Sequence, residues 1–173
     1  MSRGFTKDGD QEDTPLLTPR AYLPPGLANY VTLRGMRLLR EEEGALQDEI
    51  RGLLAQGQEP HRVQVNHLRA RLQQLQERIS TARPVEPGQA PPREVAFATE
   101  VEVQVNGAEL SRYAVVGADE ANPRQGRISF FSPIARILIG SVPGQVLELE
   151  TPSGTRQIKV LNIRWITEPP SPS

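Results

Sequence analysis

Few residues in this chain carry the chemistry of a catalyst. Cysteine is absent and the only histidines are His61 and His67, so neither a thiolate nucleophile nor a Cys/His zinc set is offered. The carboxylate placed to meet a hard cation is Glu59, near Gln56 in the run Ala55-Gln56-Gly57-Gln58-Glu59-Pro60. A carboxylate and an amide carbonyl are both oxygen donors, as magnesium requires, but the amide contributes no negative charge. Taken alone, Glu59 is a solvated loop residue. Asp119 and Glu120 make an acidic pair that serves equally well as a polar turn or as a contact for a partner. Ser132 before Pro133 has no base near it in sequence and reads as a helix cap. Arg62, Arg69 and Arg71 are either a solvated helix face or a basic strip turned toward nucleic acid or acidic groups. Neither a phosphate-binding glycine loop nor a dinucleotide fingerprint occurs.

The elements that must position these residues divide the chain unevenly. Residues 1–29 mix acids with Pro15, Pro19, Pro24 and Pro25 and show no periodicity; such a composition predicts a disordered tail. Thr32 is the first clear helix cap. Met36, Leu39, Leu46, Ile50 and Leu53 then form an apolar stripe, broken at Glu43. From about Pro60, Val65, Leu68, Leu72, Leu75, Ile79 and Ala82 recur in steps of three and four, the seam of a coiled coil. A short break around Gly57 folds the two helices back antiparallel over residues 30–83. Acids on the first helix and arginines on the second predict ion pairs across the hairpin.

Pro84, Pro87, Pro91 and Pro92 end the helix and predict a linker over 84–93. Beyond it the period becomes two: Val101, Val103 and Val105 alternate with polar residues, and Asn106-Gly107 supplies a hairpin turn. A strand over Leu110–Val116, a further one near Arg127–Phe131, a short helix from Pro133, and a last hairpin around Pro152-Ser153-Gly154 complete a domain over 94–167, with 168–173 as a second tail. The fold class expected is α+β, a helical hairpin followed by an antiparallel sheet domain with one short helix.

Lys and Arg number 20 against 21 Asp and Glu, so the chain has no general attraction to nucleic acid or to an anionic membrane. Neither a signal peptide nor an apolar run long enough to span a bilayer occurs, and a cytoplasmic protein is expected.

Three stretches carry a resemblance. Asn29-Tyr30-Val31-Thr32-Leu33-Arg34-Gly35 is followed by Leu38, Leu39, Arg40, Glu41 and Glu42; Tyr113 to Ala121 reads YAVVGADEA; and Gly126-Arg127-Ile128-Ser129 precedes Ser132-Pro133-Ile134-Ala135-Arg136 and Leu138-Ile139-Gly140. In this order they resemble the Gre family of bacterial transcription elongation factors, GreA and GreB, over roughly residues 29 to 167. The resemblance implies an FKBP-like C-terminal domain that docks on the rim of the RNA polymerase secondary channel, with Asp119, Glu120, Ser132, Pro133 and Ala135 as polymerase-binding residues. It also implies a hairpin that enters the channel.

In cleavage-stimulating members an Asp and a Glu at the tip help hold a second magnesium ion. If Glu59 matches that glutamate, Gln56 stands in the aspartate's place and Pro60 replaces an asparagine. The hairpin is also shorter than in typical members, and a deficit near ten residues would withdraw the tip by about 15 Å. The expectation is an accessory factor rather than an enzyme: a monomer that binds bacterial RNA polymerase, and its nucleic acid only indirectly, with weak or no cleavage stimulation. No resident cofactor is implied, magnesium entering only within the polymerase complex. The alternative is an active cleavage factor recruiting magnesium through Glu59. A prolyl isomerase and a generic coiled-coil adaptor rank below both.

Overall fold

The computed structural model describes residues 17–167; residues 1–16 of the tail expected over 1–29, and the expected tail over 168–173, lie outside the described residues. Strand β1 (Asn29–Thr32) leads directly into helix α1 (Leu33–Ala55). The switch is made by Thr32, whose hydroxyl accepts the Gly35 N–H at 2.9 Å and satisfies one of the free donors of the first turn. Helix α2 (Gln58–Thr81) follows after Gln56 and Gly57. It starts before Pro60, because Gly57 at φ 115° makes the reversal in a conformation closed to L side chains. Pro60 therefore sits inside the first turn, where its missing N–H is not needed.

The seam is as the spacing requires. Leu39, Leu46 and Ile50 of α1 and Val65, Leu68, Leu75 and Ile79 of α2 are buried in one cluster with Val31. Each such side chain, once buried, stabilises by roughly 1.5–3 kcal/mol, so this cluster rather than helix propensity holds the hairpin. Glu43, the break in the stripe, stays at the seam's edge. Its carboxylate accepts from Arg40 at 2.9 Å and from Gln76 of α2 at 3.2 Å, and these bonds, Arg40's first, hold it below the usual carboxylate range. The other acids differ from expectation: Glu41 and Asp48 pair with Arg37 and Arg51 along α1 itself, while Arg62, Arg69 and Arg71 stay exposed. Residues one helical turn apart on the same helix are nearer than residues facing outward across the seam.

The hairpin is closed at its base by strand β2 (Ala82–Val85), parallel to β1 with Val31 opposite Pro84. This pair was not anticipated. It draws the start of the expected linker into the structure, and Trp165 fixes the rest by donating its indole N–H to Ala90 C=O at 2.7 Å.

The second domain is a five-stranded sheet in the order β5-β4-β3-β7-β6, built from β3 (Thr99–Val105), β4 (Glu109–Val116), β5 (Arg127–Ser129), β6 (Val146–Thr151) and β7 (Gly154–Trp165). Its pairs are antiparallel except β4 with β5, which run parallel. Asn106 (φ 50°) and Gly107 (φ 74°) turn the chain between β3 and β4, and Val105 faces Glu109, so the loop is one residue longer than a two-residue turn. Helix α3 (Pro133–Leu138) covers one face. Ala135 and Leu138 join Val95, Val101, Val103, Val115, Ile128, Ile158, Val160 and Ile163 in a core separate from the hairpin's. Among the described residues no helix is long and apolar enough to cross a membrane.

Candidate functional site

Three places hold the residues singled out by sequence: the hairpin tip, the joint between hairpin and sheet domain, and the corner before α3.

At the tip, Gln56 is the exposed C-cap of α1, donating its N–H to Leu53 C=O at 3.1 Å. Glu59 is exposed in the first turn of α2, where a negative charge is favoured by the free N–H groups. His61 and His67 are half-buried. Among the described residues no group of three or more His, Cys, Asp or Glu side chains could hold a metal ion. One carboxylate and one neutral amide fall short of the oxygen set magnesium needs, so the tip does not fit the ion by itself.

At the joint, Asp119 and Glu120, expected as polymerase contacts, have partners within the chain itself. They lie on a 3-10 turn, Ala118–Glu120, after β4, and both point inward. Glu120 is 7% exposed. Its carboxylate accepts the Thr32 hydroxyl at 2.5 Å and Arg34 at 3.0 Å, and it is paired with Arg127. It therefore lies over the N-terminus of α1, where the cap, the helix dipole and two guanidiniums all favour an anion. Asp119 is bonded by Arg20 at 3.1 Å and lies 3.4 Å from Arg78 of α2. With these partners the pair fastens the hairpin to the sheet domain, and Glu120 leaves little of its side chain at the surface.

Close approach at the joint has its own sequence requirement. A Cβ on Gly117 would stand 2.5 Å from the carbonyl oxygen of Tyr30, so only glycine lets β1 run this near the turn. The Tyr30 ring meets Phe97 at 5.8 Å and Phe130 at 5.7 Å between centroids. Two aromatics of the sheet domain are thus in contact with the hairpin's own base.

The corner is formed as its residues dictate. Ser132 caps α3 by accepting the Ala135 N–H at 3.3 Å, and Pro133 takes the first helical position. Pro133 is exposed and Ser132 half-buried, whereas Ala135 is fully buried under the sheet. Of the expected polymerase contacts, Ser132 and Pro133 offer surface, Ala135 packs in the core and Glu120 belongs to the joint.

The model of the family described as "Transcription elongation factor, GreA/GreB, C-term" matches residues 90–164, the sheet domain. The GreA of Roseiflexus castenholzii is 32% identical over 147 residues, an alignment covering 84% of this chain and 92% of that protein. The chain belongs to the GreA/GreB family of transcription elongation factors. With the GreA of Caulobacter sp. (strain K31) it is 32% identical over 100 residues, covering 57% of this chain and 64% of the relative. A solved GreA/GreB factor from Nitrosomonas europaea is 19% identical, covering 79% of this chain and 98% of its own, with a TM-score of 0.41.

As a GreA/GreB member this chain keeps the hairpin and the capped corner, and its tip carries a single carboxylate. Sequence reasoning missed Arg20, because nothing in an aperiodic, proline-rich run distinguishes one arginine. It also missed Asn29, which is buried and donates to Arg78 C=O at 2.9 Å. Residues 17–28, expected to be disordered, are held against the hairpin by Arg20 and by Ala21 C=O, which accepts from Arg78 at 2.5 Å.

Proposed function

We propose that this chain binds bacterial RNA polymerase at the secondary channel and regulates elongation as an accessory factor, with weak or no stimulation of transcript cleavage. The observation that carries the second half is the tip: Glu59 stands exposed, and Gln56, at the position that would match the family's second acid, is a neutral amide rather than a carboxylate. Holding magnesium beside the polymerase's own ion needs negative charge as well as oxygen lone pairs, and an amide supplies only the latter. The length of α1, 23 residues, corresponds to about 34 Å of reach. The first half is supported by the exposed Pro133 at a corner preorganised by the Ser132 cap.

The test has two parts. Pull-down of core polymerase by the full chain at physiological salt is expected to succeed, and its failure removes the proposal. Stalled, backtracked complexes are then expected to shorten their transcripts no faster with the protein than without it. Rapid shortening that disappears in Glu59→Ala would establish the alternative, an active cleavage factor.

A further inference from the structure

The segment before β1 is absent from the expected design of the joint, yet it supplies the joint's central cation. Arg20 donates to Glu42 of α1 through both terminal nitrogens, at 3.0 and 3.1 Å, and to Asp119 of the sheet domain through Nε at 3.1 Å. One guanidinium thus bridges a carboxylate of the hairpin and a carboxylate of the sheet domain. The Arg20–Asp119 pair is the better shielded, with side chains 19% and 13% exposed, while Glu42 keeps 36%. Burial alone would lower the arginine's proton affinity, but Glu42 and Asp119 together outweigh it and raise it further.

We propose that residues 17–28 act as an orientation brace, with Arg20 as the positioning residue that sets the angle between the helical hairpin and the sheet domain. The physical case is one of sign. With Arg20 in place, Glu42 and Asp119 are both drawn to a shared cation; without it, two carboxylates from different domains face one another across the gap it filled. The same pair of groups changes from attraction to repulsion, in a part-buried site where solvent screens less than at the surface. Arg78 still reaches Asp119 at 3.4 Å from α2, and Glu120 still holds Thr32 and Arg34 at the start of α1, so the repulsion acts on Glu42 further along α1, about that fixed base. The expected consequence is a rotation of the hairpin about its base, not loss of either core, since the two hydrophobic clusters share no residues. That this rotation moves the tip within a polymerase channel rests on the function proposed above; the brace itself does not.

The absence of cysteine makes a direct measurement possible on the free protein. Cysteines introduced by Ala55→Cys at the tip and Glu148→Cys on β6, both exposed positions, carry spin labels, and pulsed dipolar spectroscopy on the full chain reads the distance between them. With Arg20 present a single narrow distribution is expected. Arg20→Ala should shift it or add a second population, Arg20→Lys should return most of the signal to the first, and Arg20→Ala with Glu42→Gln should reduce the shift by removing one of the repelling charges. If Arg20→Ala proves unfolded by circular dichroism, Arg20→Gln, which removes the cation while keeping most of the side chain's length, is read in its place. A folded Arg20→Ala, or that substitute, with the original distribution overturns the brace, whether or not its melting temperature has fallen. No polymerase enters the experiment, so its outcome is independent of the pull-down.

Discussion

Glu120 shows how one side chain can be misread from its surroundings in sequence and understood from its surroundings in space. An acidic pair in a short turn belongs at the surface, yet this carboxylate is enclosed by the Thr32 hydroxyl, Arg34 and Arg127. Its truncation strands those cations and the cap. Because Arg34 and Arg127 keep 30% and 17% of their side-chain exposure, the cost should fall at the lower end for breaking a buried pair: Glu120→Ala is expected to lose about 3 kcal/mol in a urea or thermal melt. Glu120→Gln, which keeps the shape and one acceptor, should lose less. A neighbouring backbone contact gives a second expectation. Gly117→Ala drives a methyl against the Tyr30 carbonyl oxygen, which cannot move without β1, and should cost about 1–3 kcal/mol. Gly35→Ala sets its methyl 2.8 Å from the clamped Glu120 carboxylate and 3.4 Å from the Thr32 hydroxyl, so the helix propensity it gains should not prevent a loss of stability in the same melt.

At the scale of elements, the hairpin tolerates a charge in its seam because that charge finds partners on both helices. Glu43 is held below the ordinary carboxylate range by Arg40 and then Gln76. A depressed folded value means that the ionised form is favoured by folding, so the contribution is complete above the unfolded glutamate pKa and disappears as the pH falls through the folded one. Glu43→Gln should therefore be less stable than the parent at neutral pH, by under about 1 kcal/mol because its partner Arg40 is largely exposed to solvent. The difference should close as acid protonates the parent's Glu43, which parallel urea titrations at neutral and acid pH would detect. A difference that grows on acidification would contradict the assignment.

For the whole molecule the structure describes two cores and one fastened joint. The sheet domain's core draws on residues from Val95 to Ile163 only, and Gly88 and Ala90 pack on Trp165. A fragment of residues 88–173 is thus expected to fold alone and to give dispersed amide NMR signals. Division of labour between the ends of the molecule is the second expectation at this scale. Replacing Ser132 and Pro133 together by alanine removes the α3 cap, at roughly 1 kcal/mol of stability, and should weaken association with core polymerase. Glu59→Gln should leave association nearly unchanged, since one exposed tip carboxylate contributes little to a complex anchored elsewhere. Binding assays on variants first shown to be folded would decide it; loss of association in Glu59→Gln with normal binding by the double variant would make the hairpin the anchor.

What the sequence determined by itself is whatever depends on neighbours along the chain. The three-and-four spacing of Val65 to Ile79 made a seam, Thr32 and Ser132 made caps, and alternating valines made a half-buried strand, because each signal lies within a few residues and acts through local geometry. That the tip run from Ala55 to Pro60 holds one carboxylate, Glu59, was likewise plain without any coordinates. The joint was not legible in this way. Arg20, Glu42, Arg78 and Asp119 are spread over three elements and an aperiodic arm, and nothing in their local patterns distinguishes a solvated charge from a shared one. Only the tertiary structure decided that Asp119 and Glu120 face inward, that Ala135 is core, and that the proline-rich segments at both ends of the hairpin are tied down. Long-range ion pairs form between groups that folding happens to bring together, and their chemistry is set by distance and burial rather than by order in the chain.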